Sequence, residues 1–197
     1  MTNIVAFAGT KQSGKTTCAN SIAEFYKKYT LNHKVKIYNF ADPLKRDICM
    51  NILGLTEAQC YGEDMDKNTV TDIQWQGVNL TAREVMQFVG TDLFRKMKHN
   101  VWADATIIKI RNDKPDLALI ADCRFPNEVE AIKSAGGIVV RLTRKLFHSD
   151  HASETALEKE NYDWNNFDIV LDNASMNLST QQLTLISLLQ NKGILPL

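Results

Sequence analysis

The sequence predicts an α/β fold in which a parallel sheet is flanked by helices. Strand-like and helix-like patterns alternate along its 197 residues, as they do when helices join parallel strands. The apolar run at residues 117–121 is typical of a central strand that is buried on both faces. A glycine-rich turn at residues 9–16 follows the first strand directly and leads into a helical pattern. We therefore assign residues 1–197 to a single domain of this class.

The individual elements follow from local patterns. Short runs of apolar and β-branched residues predict five strands, at residues 4–8, 35–40, 117–121, 138–142 and 167–171. Helical spacing of apolar residues predicts helices at residues 16–26, 43–53, 82–89, 93–97, 100–110, 126–132 and 178–191, with a further short helix before the last strand.

The segment between the second and third predicted strands has its own signals. Asp42 is predicted to cap a helix that ends at Gly54. Residues 55–79 have no clear period and are predicted to form a loop or small lobe over the site. Thr81 opens a capping box. Gly90 is predicted to interrupt the following helix, a pattern typical of close approach by a ligand.

The glycine-rich turn carries the clearest chemistry. Its sequence, Gly9-Thr10-Lys11-Gln12-Ser13-Gly14-Lys15-Thr16, matches G-x-x-x-x-G-K-[ST], the P-loop, whose backbone N–H groups surround a triphosphate. Lys15 is expected to neutralise the β- and γ-phosphates, and the Thr16 hydroxyl to bind Mg²⁺. The alternative is a glycine-rich turn without a ligand. The residues expected to bind ATP are Gly9, Lys11, Ser13, Gly14, Lys15, Thr16 and Thr17.

Polar residues also follow the apolar run at 117–121, and the carboxyl ends of parallel strands are where such sheets bind ligands. Asp122 has the position of a Walker-B acid that holds Mg²⁺ opposite Thr16. The alternative is that it caps the next helix. Arg124 suits the phosphate of a second substrate. The alternative for Arg124 is an ion pair with Glu128.

A polar stretch after the fourth predicted strand indicates a lid at about residues 144–160. Arg144 lies where the lid begins, and an added arginine there would stabilise the charge that develops on a transferred phosphoryl group. His148 and His151 are expected to form hydrogen bonds within the lid. Metal binding by these histidines is the less favoured alternative.

Composition excludes several classes of function. The 23 basic and 23 acidic residues give a net charge of zero, which argues against a nucleic-acid partner bound by bulk charge. No apolar run approaches the roughly 18 residues of a membrane span. The sequence begins with a predicted strand, so we expect no signal peptide. The four cysteines show no C-x-x-C pair, as expected of reduced thiols in a cytoplasmic protein.

Four further short sequence blocks, in addition to the P-loop, indicate a resemblance to one known protein family. They are Asp42-Pro43-Leu44-Lys45, Gly90-Thr91-Asp92, Asp122-x-Arg124-Phe125-Pro126-Asn127-Glu128 and Ser149-Asp150-His151-Ala152-Ser153-Glu154. Together with the P-loop, these blocks resemble the bacteriophage deoxynucleoside monophosphate kinases from residue 4 to about residue 173.

That resemblance implies a three-layer P-loop kinase fold with a monophosphate-binding region at about residues 42–105. It implies transfer of the γ-phosphoryl group of ATP, with Mg²⁺, to a deoxynucleoside monophosphate in the cytoplasm, which is the host's if a phage encodes the protein. The implied catalytic residues are Lys15, Arg124 and Arg144. The implied substrate-binding residues are Asp42, Lys45, Arg83, Asp92, Arg124, His151 and Glu154. A homodimer is compatible with a family of this size.

Two other functions fit the P-loop and the lid arginine. One is a P-loop kinase of another phosphorylated small molecule, such as phosphomevalonate or dephospho-coenzyme A. The other is a non-enzymatic module that binds ATP to switch a partner. Only the acceptor pocket separates the two kinases, and a sequence specifies pockets poorly.

Overall fold

The computed structural model describes residues 2–146 and 152–197. The chain forms two compact units, one made of Met1–Phe40 with Ile107–Leu197 and the other of Ala41–Thr106. The strands are β1 (Asn3–Ala8), β2 (Val35–Tyr38), β3 (Val70–Trp75), β4 (Val78–Thr81), β5 (Leu117–Cys123), β6 (Ile138–Leu142) and β7 (Ile169–Leu171). The helices are Lys15–Tyr29, Pro43–Met50, Glu57–Tyr61, Asp64–Lys67, Ala82–Gln87, Phe88–Arg95, Val101–Asp113, Pro126–Ser134, Ala152–Thr155 and Leu178–Asn191, with a 3₁₀ turn at Trp164–Asn166.

The first unit is built on a five-stranded parallel sheet in the order β2-β5-β1-β6-β7. The β5 strand lies between β2 and β1, and six of its seven residues are buried, as the continuous apolar run predicts. The helices Lys15–Tyr29 and Leu178–Asn191 contribute Ile22, Leu185 and Leu189 to the core formed with the sheet. The predicted α/β class is confirmed.

The second unit contains more regular structure than its sequence predicts. Residues 55–79 include two short helices and most of an antiparallel hairpin formed by β3 and β4, so of the two predicted forms, a loop or a small lobe, the loop was wrong. Gln76 and Gly77 connect the strands with φ values of 51° and 80°, the backbone of a tight hairpin turn. Much of this hairpin is exposed, including Trp75 and Val78, so the strands lack the alternation that would reveal them.

Gly90 does not interrupt its helix, contrary to expectation. The Ala82–Gln87 helix, capped by Thr81 as predicted, continues directly into the π-helical segment Phe88–Arg95. A Cβ atom at Gly90 would lie 2.5 Å from Cδ2 of Leu44, and the Gly90 carbonyl accepts a hydrogen bond of 3.1 Å from the Trp102 indole. The close neighbour of Gly90 is therefore a packed leucine from within the same unit.

Asp42 does not cap the helix that follows it. Its side chain makes no capping hydrogen bond to the π-helical segment Pro43–Met50. Its carboxylate instead accepts a hydrogen bond of 2.7 Å from the Tyr61 hydroxyl. A helical backbone at Asp42, with φ −63° and ψ −42°, replaces the extended conformation that a capping residue adopts.

All four cysteines are free and buried, in agreement with the sequence-based prediction of reduced thiols. Within residues 2–146 and 152–197, none of the helices has the length and apolar character needed to cross a bilayer.

Candidate active site

The P-loop connects β1 to the Lys15–Tyr29 helix. A Cβ at Gly9 would lie 2.5 Å from the Ser13 hydroxyl oxygen, so only glycine fits there. Gly14 has φ of +101°, a value that glycine adopts without strain. Ser13 is fully buried and its hydroxyl has no hydrogen-bond partner among the described residues. Its backbone N–H donates to the Thr10 carbonyl at 3.2 Å, so in this conformation neither the hydroxyl nor the N–H of Ser13 is open to a ligand.

A cavity of about 380 Å³ opens beside this loop. It brings together residues from the P-loop, from the end of β2 and from the end of β5. Its lining residues are Gln12, Gly14, Lys15, Thr16, Thr17, Asn39, Ala121, Asp122 and Arg124. Most of the ATP-, metal- and phosphate-binding residues predicted from the P-loop and from the end of β5 therefore share one cavity.

Lys15 lies folded against its own loop. Its side chain donates hydrogen bonds of 2.8 Å and 2.6 Å to the carbonyls of Gly9 and Thr10, and the residue is only 6% exposed. Burial and, to a smaller extent, the nearby Arg124 guanidinium lower the pKa of Lys15 to about 8, against the opposing effect of the Glu154 and Asp122 carboxylates. The ammonium group thus lacks full charge compensation, which a phosphate would supply.

Asp122 is held from the β2 side of the sheet. Its carboxylate accepts a hydrogen bond of 2.7 Å from the backbone N–H of Phe40. The Pro126–Ser134 helix is capped instead by Glu128, whose carboxylate accepts from the N–H groups of Arg124 at 2.7 Å and Phe125 at 3.1 Å. The alternative that Asp122 is a helix cap was therefore wrong.

The Asp122 carboxylate and the Thr16 hydroxyl line the same cavity. Both are hard oxygen ligands of the kind that Mg²⁺ prefers, so these side chains fit the ion. No group of three or more histidine, cysteine or acidic residues that could hold a metal is found in the described part of the chain. Magnesium at this site would accordingly need phosphate and water oxygens to complete its coordination.

Arg124 pairs with Glu154, which lies 30 residues away in sequence. The other oxygen of the Glu154 carboxylate accepts a hydrogen bond of 2.5 Å from the backbone N–H of Lys11, within the P-loop. The Glu154 side chain is 13% exposed and that of Arg124 is 28% exposed. One partly buried carboxylate therefore engages two donors suited to phosphate.

Arg144 is bound to the loop that follows β7. Its guanidinium donates to the carbonyls of Asn173 at 2.8 Å and Met176 at 2.6 Å. Its backbone N–H donates to the Asn173 side chain at 2.9 Å. Residues 147–151 of the predicted lid, including His148 and His151, lie outside the described residues.

The predicted substrate-binding residues of the second unit have partners within that unit. The Lys45 ammonium lies 4.7 Å from the centroid of the Tyr61 ring, and the Tyr61 hydroxyl donates to Asp42. Arg83 and Asp92 each take part in another ion pair. Their partners are Asp64, at 2.7 Å from Arg83, and Lys96, at 3.8 Å from Asp92.

Sequence reasoning missed two buried amides beside the P-loop, Asn173 and Gln181. Asn173 comes shortly after β7, so the rule that identified Asp122 at the end of β5 also points to it. Gln181 lies on the amphipathic Leu178–Asn191 helix and had no such signal. The contact between Glu154 and Lys11 spans 143 residues and had no local signal either.

Comparison with known proteins identifies the family. A family model described as deoxynucleotide monophosphate kinase matches residues 64–177. A protein of Acanthamoeba polyphaga mimivirus, provisionally named deoxynucleotide monophosphate kinase, is 32% identical over 190 residues, which cover 86% of this chain and 88% of that protein. The chain belongs to the deoxynucleotide monophosphate kinase family. It is therefore a phosphotransferase that acts on deoxynucleoside monophosphates.

Two further comparisons concern part of the sequence and the fold. The deoxynucleoside-5'-monophosphate kinase of Escherichia phage T5 is 34% identical over 88 residues, which cover 40% of this chain and 35% of that protein. Shikimate kinase from Acinetobacter baumannii superposes with a TM-score of 0.52 over 98% of this kinase and 96% of that chain, at 14% identity. The second likeness shows the fold alone.

The lowered pKa of Lys15 predicts a pH-dependent difference between the wild type and Lys15→Met. Between pH 8 and 10.5 the unfolded chain retains a proton that the folded chain has lost, so the stability of the wild type should rise with pH relative to the variant. The expected gain is about 3 kcal/mol over this window. Urea denaturation of both proteins at several pH values measures it. A constant difference in the free energy of unfolding would contradict the assignment.

Proposed function

We propose that the first unit binds MgATP at the cavity beside the P-loop and that the γ-phosphoryl group passes from there to the phosphate of a deoxynucleoside monophosphate. The main observation in support is that Lys15, Thr16, Asp122 and Arg124 line one cavity. A cation, a hydroxyl, a carboxylate and a guanidinium at one site provide for both a metal-bound triphosphate and a second phosphate.

The proposed roles follow from this chemistry. Lys15 exchanges its two loop carbonyls for the β- and γ-phosphates, which relieves the desolvation of its charge. Thr16 and Asp122 hold Mg²⁺, which when bound would neutralise charge on the phosphates. Arg124 holds the acceptor phosphate through a bidentate contact. That acceptor is already ionised, so the reaction needs no general base among these residues.

We further propose that residues of the second unit bind the deoxynucleoside monophosphate. Lys45 supplies positive charge, with its position fixed by the Tyr61 ring. The Arg83–Asp64 ion pair is exposed, with side chains 47% and 78% accessible. Such a pair contributes at most about 1 kcal/mol, so Arg83 can exchange it for a phosphate. Asp92, His151 and Glu154 complete the proposed substrate-binding set.

Arg144 is proposed to stabilise the transferring phosphoryl group as part of a lid at residues 144–160. In the structure its guanidinium donates to two carbonyls, so this role requires it to exchange those hydrogen bonds for bonds to phosphate oxygens. Such an exchange is expected of a contact that forms mainly in the transition state. The free, buried cysteines support a cytoplasmic location, where ATP and deoxynucleotides are available.

The direct test is ADP release from MgATP with a panel of deoxynucleoside and ribonucleoside monophosphates. Phosphomevalonate and dephospho-coenzyme A serve as non-nucleotide acceptors. We expect ADP release to depend on at least one deoxynucleoside monophosphate, and Lys15→Ala to lose more than 90% of the turnover, because it lacks the charge on the β- and γ-phosphates. Activity only with a non-nucleotide acceptor, or slow hydrolysis that no acceptor stimulates, would refute the proposal.

Glu154 has a specific place in this scheme. Its carboxylate contacts the Lys11 N–H and the Arg124 guanidinium, and both donors are suited to phosphate oxygens. An anion already on these donors must leave before a phosphoryl group can use them. We propose that Glu154 holds both donors in the free kinase, that nucleotide phosphates displace it, and that its role in substrate binding begins only after this displacement.

Replacement of Glu154 by Gln should therefore strengthen MgATP binding measured without an acceptor. The amide keeps the size of the side chain, but it has a single acceptor oxygen, so it can accept from Lys11 or from Arg124 and not from both. The hydrogen bond that remains also loses the contribution of charge, about half of its strength. We expect a three- to tenfold lower Kd by calorimetry. In an Arg124→Ala background the gain should shrink, because one of the two contacts is already absent. Unchanged or weaker ATP binding by Glu154→Gln would show that Glu154 supports the P-loop instead of competing for it.

A further inference from the structure

Asn173, shortly after β7, connects three separate segments of the first unit through a buried side chain. Its amide nitrogen donates to the Ser13 carbonyl at 2.9 Å and to the Gln181 side-chain oxygen at 2.8 Å. Its amide oxygen accepts from the backbone N–H of Arg144 at 2.9 Å. The residue is fully buried. Both amide hydrogens and one oxygen lone pair are thus used, which is the complete donor capacity of the side chain.

The bond to Ser13 fixes the orientation of a P-loop peptide. The carbonyl and N–H of a trans peptide point in opposite directions, and the described chain contains no cis peptide. Because the Ser13 carbonyl points at Asn173, the N–H of Gly14 points away from it. A Cβ at Gly14 would lie 3.3 Å from the Gln181 amide nitrogen and 3.7 Å from that of Asn173. The two amides therefore pack against one side of Gly14, a residue that also lines the cavity.

Gln181 prevents the Asn173 amide from turning over. The Gln181 side chain is 2% exposed, accepts from Asn173 through its oxygen, and donates through its nitrogen to the Cys18 sulfur at 3.1 Å. A rotated Asn173 would place its oxygen against two acceptors, the Ser13 carbonyl and the Gln181 oxygen. Unpaired acceptors in a buried site are costly, so only the observed orientation satisfies all the groups.

We infer that Asn173 is a positioning residue for phosphoryl transfer. It holds the Ser13–Gly14 peptide so that the Gly14 N–H faces the phosphates of the donor nucleotide, and Gln181 locks it in that state. Asn173 also ties this peptide to Arg144, through its side chain and through its backbone carbonyl, which accepts from the Arg144 guanidinium at 2.8 Å. The inference rests on the proposed MgATP site and adds residues outside the P-loop that prepare it.

The test is Asn173→Asp. The carboxylate keeps the shape of the side chain and the acceptor for Arg144, but it has no donor for the Ser13 carbonyl or for the Gln181 oxygen. We expect the Kd and KM for MgATP to rise at least tenfold, while the KM for the deoxynucleoside monophosphate changes less than threefold and kcat less than fivefold, because a phosphate contact present before the transition state contributes to binding.

Three further variants separate positioning from general stability. Asn173→Ala removes the same donor without burying a charge. It serves as the test variant if Asn173→Asp does not fold. Gln181→Met removes the hydrogen bond that holds the Asn173 amide in its orientation. We expect it to raise the MgATP Kd less than the Asn173 variants do. Leu189→Ala, in the core on the same helix as Gln181, lowers stability but should leave the Kd unchanged.

An unchanged MgATP Kd in both Asn173 variants would overturn the inference. So would a parallel rise in both KM values that Leu189→Ala reproduces. Calorimetry of MgATP binding needs no acceptor, so it tests Asn173 independently of the reaction. If MgATP binds but no monophosphate stimulates ADP release, the proposed reaction fails while the comparison of Kd values still decides the role of Asn173.

Discussion

The direction of the P-loop peptides is the constraint on which the rest of this site depends. N–H groups that face a phosphate require carbonyls that face away from it, and buried carbonyls need donors of their own. In the free kinase Lys15 donates hydrogen bonds to the carbonyls of Gly9 and Thr10, and Asn173 donates one to the carbonyl of Ser13. The motif itself therefore supplies the loop, and a residue 160 positions away completes its hydrogen bonding.

The positive charges around the cavity are only partly compensated by neighbouring carboxylates. Burial lowers the pKa of Lys15, and the nearby Arg124 guanidinium acts in the same direction. Glu154 balances Arg124, and Glu158 balances the buried Arg141 through a bond of 2.6 Å. Desolvated cations of this kind gain most when a polyanion binds. These contacts therefore support the proposed phosphate site.

The sequence predicts those parts of the kinase that depend on local pattern. The P-loop, the buried strand β5 and the capping box at Thr81 all follow from residues within one short window. Other features depend on what packs nearby in space. Gly90 is a glycine because Leu44 lies against it, which no local pattern distinguishes from the approach of a ligand. Asn173 and Glu154 reach the P-loop across 160 and 143 residues, and only the folded sheet brings them there.

We propose that backbone N–H groups of the P-loop, held in place by side chains outside the motif, receive the phosphates of ATP. The most direct measurement is ¹⁵N-edited NMR of the kinase titrated with MgATP in the absence of an acceptor. We predict large amide shifts at Gly14 and Lys11, with the Asn173 side-chain amide resonances remaining protected from exchange in both states. Unperturbed Gly14 and Lys11 amides at saturating MgATP would contradict this account.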